Sequence, residues 1–357
     1  RRLSTRPGGP GGEPARLRAG GSGELASERP SALGRQFRLF KGGAPILRAN
    51  MRVAVIGAGG IGGLYGGLLA RAGHDVRLLA RGAHLAAIQS RGLEVRSADF
   101  GVFRVHPPAS DDPAQLGLSE LVLFTVKTYD VEAAAPAALQ VLAAQGSLLT
   151  LQNGLDAPDQ VAHVVGPERV LIGTTSLEAT IVEPGVIGHL TPGHVVRVAS
   201  FRGPPTPRVE QIAAVLADAG INVQVVPDGR RALWEKAAML IPMAILTTVC
   251  ESGIGPIREF PETRALAQTI VHEVEQVARV CGYDVPEASQ AAIATLDRVA
   301  PTMKASMARD FERDGRTELE ALVGALVRLA DAHALEVPAT RTAYAILKLR
   351  ERQRARR

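Results

Sequence analysis

Cysteine is almost missing from this chain of 357 residues, which contains only Cys250 and Cys281. Two isolated thiols make no disulfide framework and have no metal-ligand spacing, which fits a reducing, cytoplasmic setting. The histidines, His189 and His194 among them, lack metal spacing too and read as surface or loop residues, so no metal is expected. An uninterrupted apolar run of membrane length is also missing. The strongly apolar stretch 233–249 is broken by Glu235, Lys236 and Pro242, and reads as a buried helix too short to span a bilayer. Nor is there an apolar secretory core near the start.

A basic fold is a further absence, although the formal net charge is +5. Residues 1–50 hold ten of the 41 basic side chains and three of the 36 acidic ones, leaving 31 against 33, a net of −2. Nucleic acid therefore finds no support as a partner in the charge of the remainder. The same segment has ten Gly, five Pro and little apolar periodicity, a composition that predicts a disordered extension over 1–50.

What is present begins at Met51, in the run MRVAVIGAGGIGGLYGG. An apolar strand leads into Gly57-Ala58-Gly59-Gly60-Ile61-Gly62, and a helical pattern follows through Leu64, Leu68 and Leu69. In G-x-G-x-x-G the first glycine permits the tight turn, the second lets backbone approach a pyrophosphate, and the third lets helix pack on strand. The phosphates then sit on free N–H groups at the helix start. A second strand, Val76 to Ala80, completes a βαβ unit of about 30 residues.

No Asp or Glu ends that second strand, where an NAD site places one for the ribose 2′-hydroxyl. Arg81 stands there instead, the residue type that accommodates a 2′-phosphate, so NADP(H) is the expected dinucleotide. A solvated loop arginine is the plainer alternative.

Strand-like runs at 121–126, 147–151, 170–172, 195–199 and 223–226 alternate with helical patterns up to Pro227, predicting a mostly parallel sheet with helices on both faces. Lys127 and Asn153 close two of these runs and point to the crevice at the carboxyl ends of the strands. Beyond Pro227 the periodicity is helical, with helices expected at 262–281, 287–299, 302–313 and 318–334. A capping box, Thr317-Glu318-Leu319-Glu320, opens the last of them. The basic stretch 349–357 reads as a solvated tail. The fold class is thus α/β, a Rossmann-type domain over 51–227 followed by an all-helical domain over 228–350.

Hydride transfer in a cleft between two such domains calls for a proton donor and for groups that hold a carboxylate. Lys236, in an otherwise apolar helix, is the candidate acid; a lysine snorkelling to the surface is the alternative. Lys127 and Asn153 are each weak signals alone, as is Glu318, whose innocent reading is an acid in a first helical turn.

Taken in order, these residues resemble the ketopantoate reductase (2-dehydropantoate 2-reductase) family over about residues 51–347. The matching motifs are the MRVAVIGAGGIG opening, Arg81, Thr125-Val126-Lys127, Gln152-Asn153-Gly154, Leu233-Trp234-Glu235-Lys236, Ser306-Met307 with Asp310, and Gly315-Arg316-Thr317-Glu318. The resemblance implies reduction of a 2-oxo acid by NADPH, with ketopantoate becoming pantoate in pantothenate biosynthesis, and a homodimer as one assembly open to it. It implies Lys236 as proton donor, Asn153 and Lys127 in contact with substrate and nicotinamide ribose, Ser306 on the substrate carboxylate, and Glu318 near the substrate hydroxyl.

Departures from the family pattern cluster in one helix, which also holds Pro242, with two more at Val323 and Thr340, where relatives tend to have asparagine. Relatives usually carry asparagines four and eight residues after the lysine, whereas this chain has Leu240 and Ala244. Both are expected to border the substrate, being on the helix face of Lys236. A less polar 2-oxo acid is therefore an alternative substrate. Two further readings are a non-catalytic NADP(H)-binding sensor or degenerate paralogue, and a two-domain dehydrogenase for another hydroxy acid.

Overall fold

The computed structural model describes the backbone of residues 38–40 and residues 50–354. Its strands in chain order are β1 (Arg38–Phe40), β2 (Arg52–Ile56), β3 (Asp75–Leu79), β4 (Leu93–Ser97), β5 (Gly101–Val105), β6 (Ala109–Ser110) and β7 (Ser119–Phe124). They continue as β8 (Leu142–Thr150), β9 (Val170–Thr175), β10 (Ala179–Glu183), β11 (Val186–His189), β12 (Val196–Ser200) and β13 (Val223–Val225). The first helices are α1 (Gly60–Arg71), α2 (Gly82–Arg91), α3 (Val131–Val141), α4 (Ala157–Val165), α5 (Pro207–Asp218) and α6 (Gly229–Val249). After them come α7 (Ile254–Glu259), α8 (Pro261–Val280), α9 (Pro286–Arg298), α10 (Ser306–Glu312), α11 (Ala325–Ala332) and α12 (Pro338–Arg354).

Nine strands form one sheet in the order β1-β13-β12-β9-β8-β7-β2-β3-β6. From β9 to β6 every neighbouring pair is parallel, while β12 runs antiparallel to β9. Alternation along β2 divides the core. Val53 and Val55 belong to the apolar layer on one face of the sheet, and Ala54 and Ile56 to the layer on the other. Burial on both faces is why these strands read as continuous apolar runs.

A second sheet of four strands, β10-β11-β4-β5, lies against α1. It is absent from the sequence reading because its strands are short and three of them, β4, β5 and β10, are partly exposed, with the half-polar runs Leu93–Ser97 and Gly101–Val105.

After β13 the described chain is helical. Asp228 caps α6, its carboxylate accepting from the N–H groups of Arg230 at 2.9 Å and Arg231 at 3.1 Å. At 21 residues α6 is long and apolar enough to cross a membrane by length and composition, which corrects the expectation that it is too short. It is a core helix here, packed by α8, α9, α10 and α12.

Other expectations need correction at their edges. The expected 302–313 helix is shortened to Ser306–Glu312, because residues ahead of it turn back to bond Ile254 and Gly255. The capping box does not close. The Thr317 hydroxyl accepts from Leu319 N–H at 3.4 Å, whereas Glu320 is drawn away to Tyr344, Lys348 and Arg328. A widened π turn over Glu320–Gly324 separates this start from α11. The solvated tail is in fact the end of α12 as far as Arg354, with Arg350 and Arg354 laid over the Phe311 ring. The extension read as disordered over 1–50 lies largely outside the described residues; within it, β1 pairs antiparallel with β13.

Candidate active site

Four parallel strands deliver the site from their carboxyl ends. After β2 comes Gly57, whose φ of +100° favours glycine and where a Cβ would stand 2.7 Å from the backbone nitrogen of Val126. After β3 comes Arg81, after β7 Thr125-Val126-Lys127, and after β8 Gln152-Asn153. Side chains lace these ends together: the Thr125 hydroxyl donates to the Gly57 carbonyl at 2.8 Å, and the Gln152 amide donates to the Phe124 carbonyl at 2.8 Å.

The glycines differ in what surrounds them. A Cβ on Gly62 would meet the Gly57 carbonyl at 2.3 Å, so this glycine serves the packing of α1 on the strand. A Cβ on Gly59 would meet nothing within 4 Å, so its backbone faces open space. That space belongs to a cavity of about 530 Å³. Its walls include Gly57, Ala58, Gly59, Gly60, Ile61 and Arg81 together with Lys127, Asn153, Ser306 and Glu318. Arg81 is exposed, and among the described residues no hydrogen bond or ion pair involves its guanidinium. An open glycine loop and an uncommitted arginine on one wall fit a phosphorylated dinucleotide.

Around Asn153 the polar side chains form a chain. The Lys236 ammonium donates to Asn153 Oδ1 at 2.7 Å, and Asn153 Nδ2 approaches Glu318 Oε2 at 3.5 Å. Glu318 is only 4% exposed. Its other oxygen accepts from the backbone N–H and the hydroxyl of Thr128, both at 3.0 Å. Lys127 donates to Asp310 Oδ2 at 3.0 Å and lies 3.6 Å from Glu318 Oε2.

The two lysines are tuned in opposite directions. Burial pushes Lys236 down to about 8, against the opposing pull of Glu318. Some of its side chain remains exposed, but the ammonium is enclosed by protein, and that enclosure sets the shift. Burial works against the charge of Lys127 as well, but Glu318 and Asp310 outweigh it and hold its pKa above the usual lysine value.

Most of the residues expected from sequence come together, with three exceptions. Gly62 lies under the helix and outside the cavity wall. Lys236 stands one hydrogen bond behind the wall, beside a small apolar cavity of about 10 Å³ that it shares with Leu233, Leu240 and Ile241. Ala244, expected to border the substrate, is 0% exposed in the core between α6 and its neighbours. Eight residues of helix rotate it about 80° from Lys236, far enough to face the core. His189, expected on a surface or loop, is 5% exposed at the end of β11, held to Ser97 at 2.9 Å.

Sequence reasoning missed His84 and the pair Glu178–Arg309, and named Gln152 only as part of a motif without a role of its own. Glu178, on the cavity wall, forms an ion pair with Arg309 of α10, three residues beyond Ser306. Nothing in the local sequence signals that pair, since its partners are brought together only by the packing of α10 against the sheet domain. Among the described residues no cluster of His, Cys, Asp and Glu could hold a metal.

Comparison with known proteins bears on this geometry. The family model "Ketopantoate reductase PanE/ApbA" matches residues 53–200, and its partner "Ketopantoate reductase PanE/ApbA C terminal" matches residues 228–351. The chain is 33% identical over 303 residues to a 2-dehydropantoate 2-reductase of Halobacterium salinarum, covering 85% of this chain and 99% of the relative. A crystal structure of a PanE/ApbA family ketopantoate reductase from Ralstonia eutropha JMP134 superposes with a TM-score of 0.79 at 32% identity, covering 85% of this chain and 100% of that one. A D-mandelate dehydrogenase solved with NADH and anilino(oxo)acetate superposes with a TM-score of 0.80 over 85% of this chain and 100% of that one. At 20% identity, it shares the fold.

Proposed function

The chain belongs to the ketopantoate reductase family of oxidoreductases, and from that premise we propose that it reduces a 2-oxo acid to a 2-hydroxy acid with NADPH, using Lys236 as the general acid. The substrate is 2-dehydropantoate or a less polar relative. The observation that carries this reading is the lysine with its pKa near 8, hydrogen-bonded to Asn153 on the wall of the glycine-loop cavity.

The dinucleotide, when bound, supplies the hydride to the carbonyl carbon. The glycine loop presents backbone N–H groups to its pyrophosphate, and Arg81 offers a guanidinium to its 2′-phosphate. As the C–H bond forms, the carbonyl π pair moves onto oxygen, and the Lys236 ammonium gives that oxygen a proton. The lysine is left neutral and is recharged from solvent. A pKa of about 8 suits this task, because the lysine is mostly protonated at neutral pH yet gives up its proton far more readily than a solvated lysine. Its long stem allows the ammonium to turn from Asn153 towards a substrate oxygen, and Asn153 and Glu318 keep it aimed meanwhile.

Ser306, at the first turn of α10, and the charged Lys127 stand on the same cavity wall and suit a substrate carboxylate. The ion pair of Lys127 with Asp310 holds α10, and with it Ser306, against the sheet end. The decisive assay is NADPH consumption with 2-oxo acids of graded polarity. Turnover of at least one of them is expected; a protein that binds NADPH but oxidises it with none would be a binder without this activity.

A further inference from the structure

We infer that His84 is a recognition group for the adenosine end of the dinucleotide, its Nε2–H donating to the 2′-phosphate beside Arg81; the inference rests on the reading of NADPH as cofactor. His84 sits in the first turn of α2, three residues beyond Arg81, on the cavity wall that also carries Ala58 and Gly59.

Its ring is held in one tautomer. Nδ1 accepts from the backbone N–H of Gly185 at 3.0 Å, and a nitrogen that accepts cannot carry a proton. The hydrogen of the neutral ring is therefore on Nε2. Burial lowers the pKa of His84, with the Ala58 carbonyl acting weakly the other way, so the neutral ring prevails at neutral pH.

Nε2 is buried, and the Ala58 carbonyl that faces the ring is too poorly placed to form a hydrogen bond with it. A buried donor left unpaired is costly, and such a group in a native cavity calls for an acceptor supplied from outside the chain. The occupant of this cavity offers phosphate oxygens. Of these, the pyrophosphate belongs at the start of α1, whereas the ribose substituent belongs at the end of β3, which leads directly into Arg81 and α2. His84 is placed for the second. A single arginine attracts any anion; adding a fixed neutral donor makes the site selective for an oxygen at one place.

The test is direct binding of adenosine 2′,5′-bisphosphate and adenosine 5′-monophosphate to the full chain by calorimetry. His84→Asn retains an acceptor where Nδ1 meets Gly185 and deletes the Nε2 donor. The expected result is about tenfold weaker binding of the bisphosphate with the monophosphate unchanged, the loss typical of one charge-assisted hydrogen bond. His84→Gln, whose amide reaches the Nε2 position, should recover part of it. Equal weakening of both nucleotides, or no change in either, overturns the inference. If the unaltered protein itself binds both nucleotides alike, the NADPH reading falls and takes this assignment with it. If that protein discriminates and His84→Asn leaves the discrimination intact, only the role of His84 falls.

Discussion

Lys236 Nζ and Asn153 Oδ1 stand 2.7 Å apart, and they join two halves of the molecule: the lysine comes from the first helix after the sheet, the asparagine from the carboxyl end of β8. Glu318, from a third segment, completes the chain through the asparagine amide. The proposed acid is thus oriented by a neutral amide, with a buried carboxylate beyond it.

Removing the acid should separate chemistry from binding. Lys236→Ala is expected to lower turnover by about 100-fold to 10,000-fold, the range for a lost general acid, while NADPH affinity stays within a few-fold. Steady-state kinetics with the best 2-oxo acid, set beside a fluorescence titration of NADPH, checks both halves. Near-normal turnover would make Lys236 a structural lysine.

The same group is expected to set the pH profile. Lys236 must carry its proton to donate it, so reduction should be flat below about pH 8 and fall as pH rises through that value. Glu318 raises this pKa, so Glu318→Gln, which removes the charge, should move the falling limb to lower pH. A limb that stays fixed in the variant would mean that another group controls it.

Cofactor preference should depend on Arg81. Arg81→Ala is expected to reduce the preference for NADPH over NADH by about tenfold to a hundredfold, the worth of a charge-assisted contact to a phosphate. Dissociation constants for the two dinucleotides decide it, and an unaltered ratio would show Arg81 to be an ordinary loop arginine.

The two positions where relatives carry asparagine should now behave differently. Leu240 borders the small cavity beside Lys236, so Leu240→Asn should shift kcat/KM by about tenfold towards a hydroxylated 2-oxo acid. Ala244 is sealed in the core, and Ala244→Asn would bury an amide without a partner. The expected cost is about 1–3 kcal/mol, read as a fall in Tm of several degrees with little change in substrate preference. Equal effects of the two substitutions on preference would contradict the placement of Ala244.

The sequence reveals one half of this site better than the other. The glycine loop and Arg81 lie within a single βαβ unit, so their spacing along the chain is also their spacing in space, and elementary rules suffice. Lys127 and Asn153 were placed by strand ends for the same reason. The chain from Lys236 to Glu318 links residues 165 positions apart between Asn153 and Glu318, and no local period records such a contact. The resemblance to a family supplied those roles. The second sheet stayed hidden because its strands are short and all but β11 are partly exposed, and Ala244 was misplaced because the 3.6-residue period drifts by the eighth residue.

The last described turn of α12 bears on the order in which such a molecule can be completed. Arg354 lies 4.7 Å from the Phe311 ring centroid and donates to the Asp310 carbonyl at 3.2 Å, while Asp310 itself grips Lys127. During synthesis the ribosome delivers the glycine loop early, and almost every residue of the cavity wall is out before this turn appears. Until it arrives, Phe311 lacks the cover of Arg354, although α10 already packs on α6 and is paired through Asp310 and Arg309. The last turn of α12 therefore closes over a helix that contacts made earlier in the chain have already set in place.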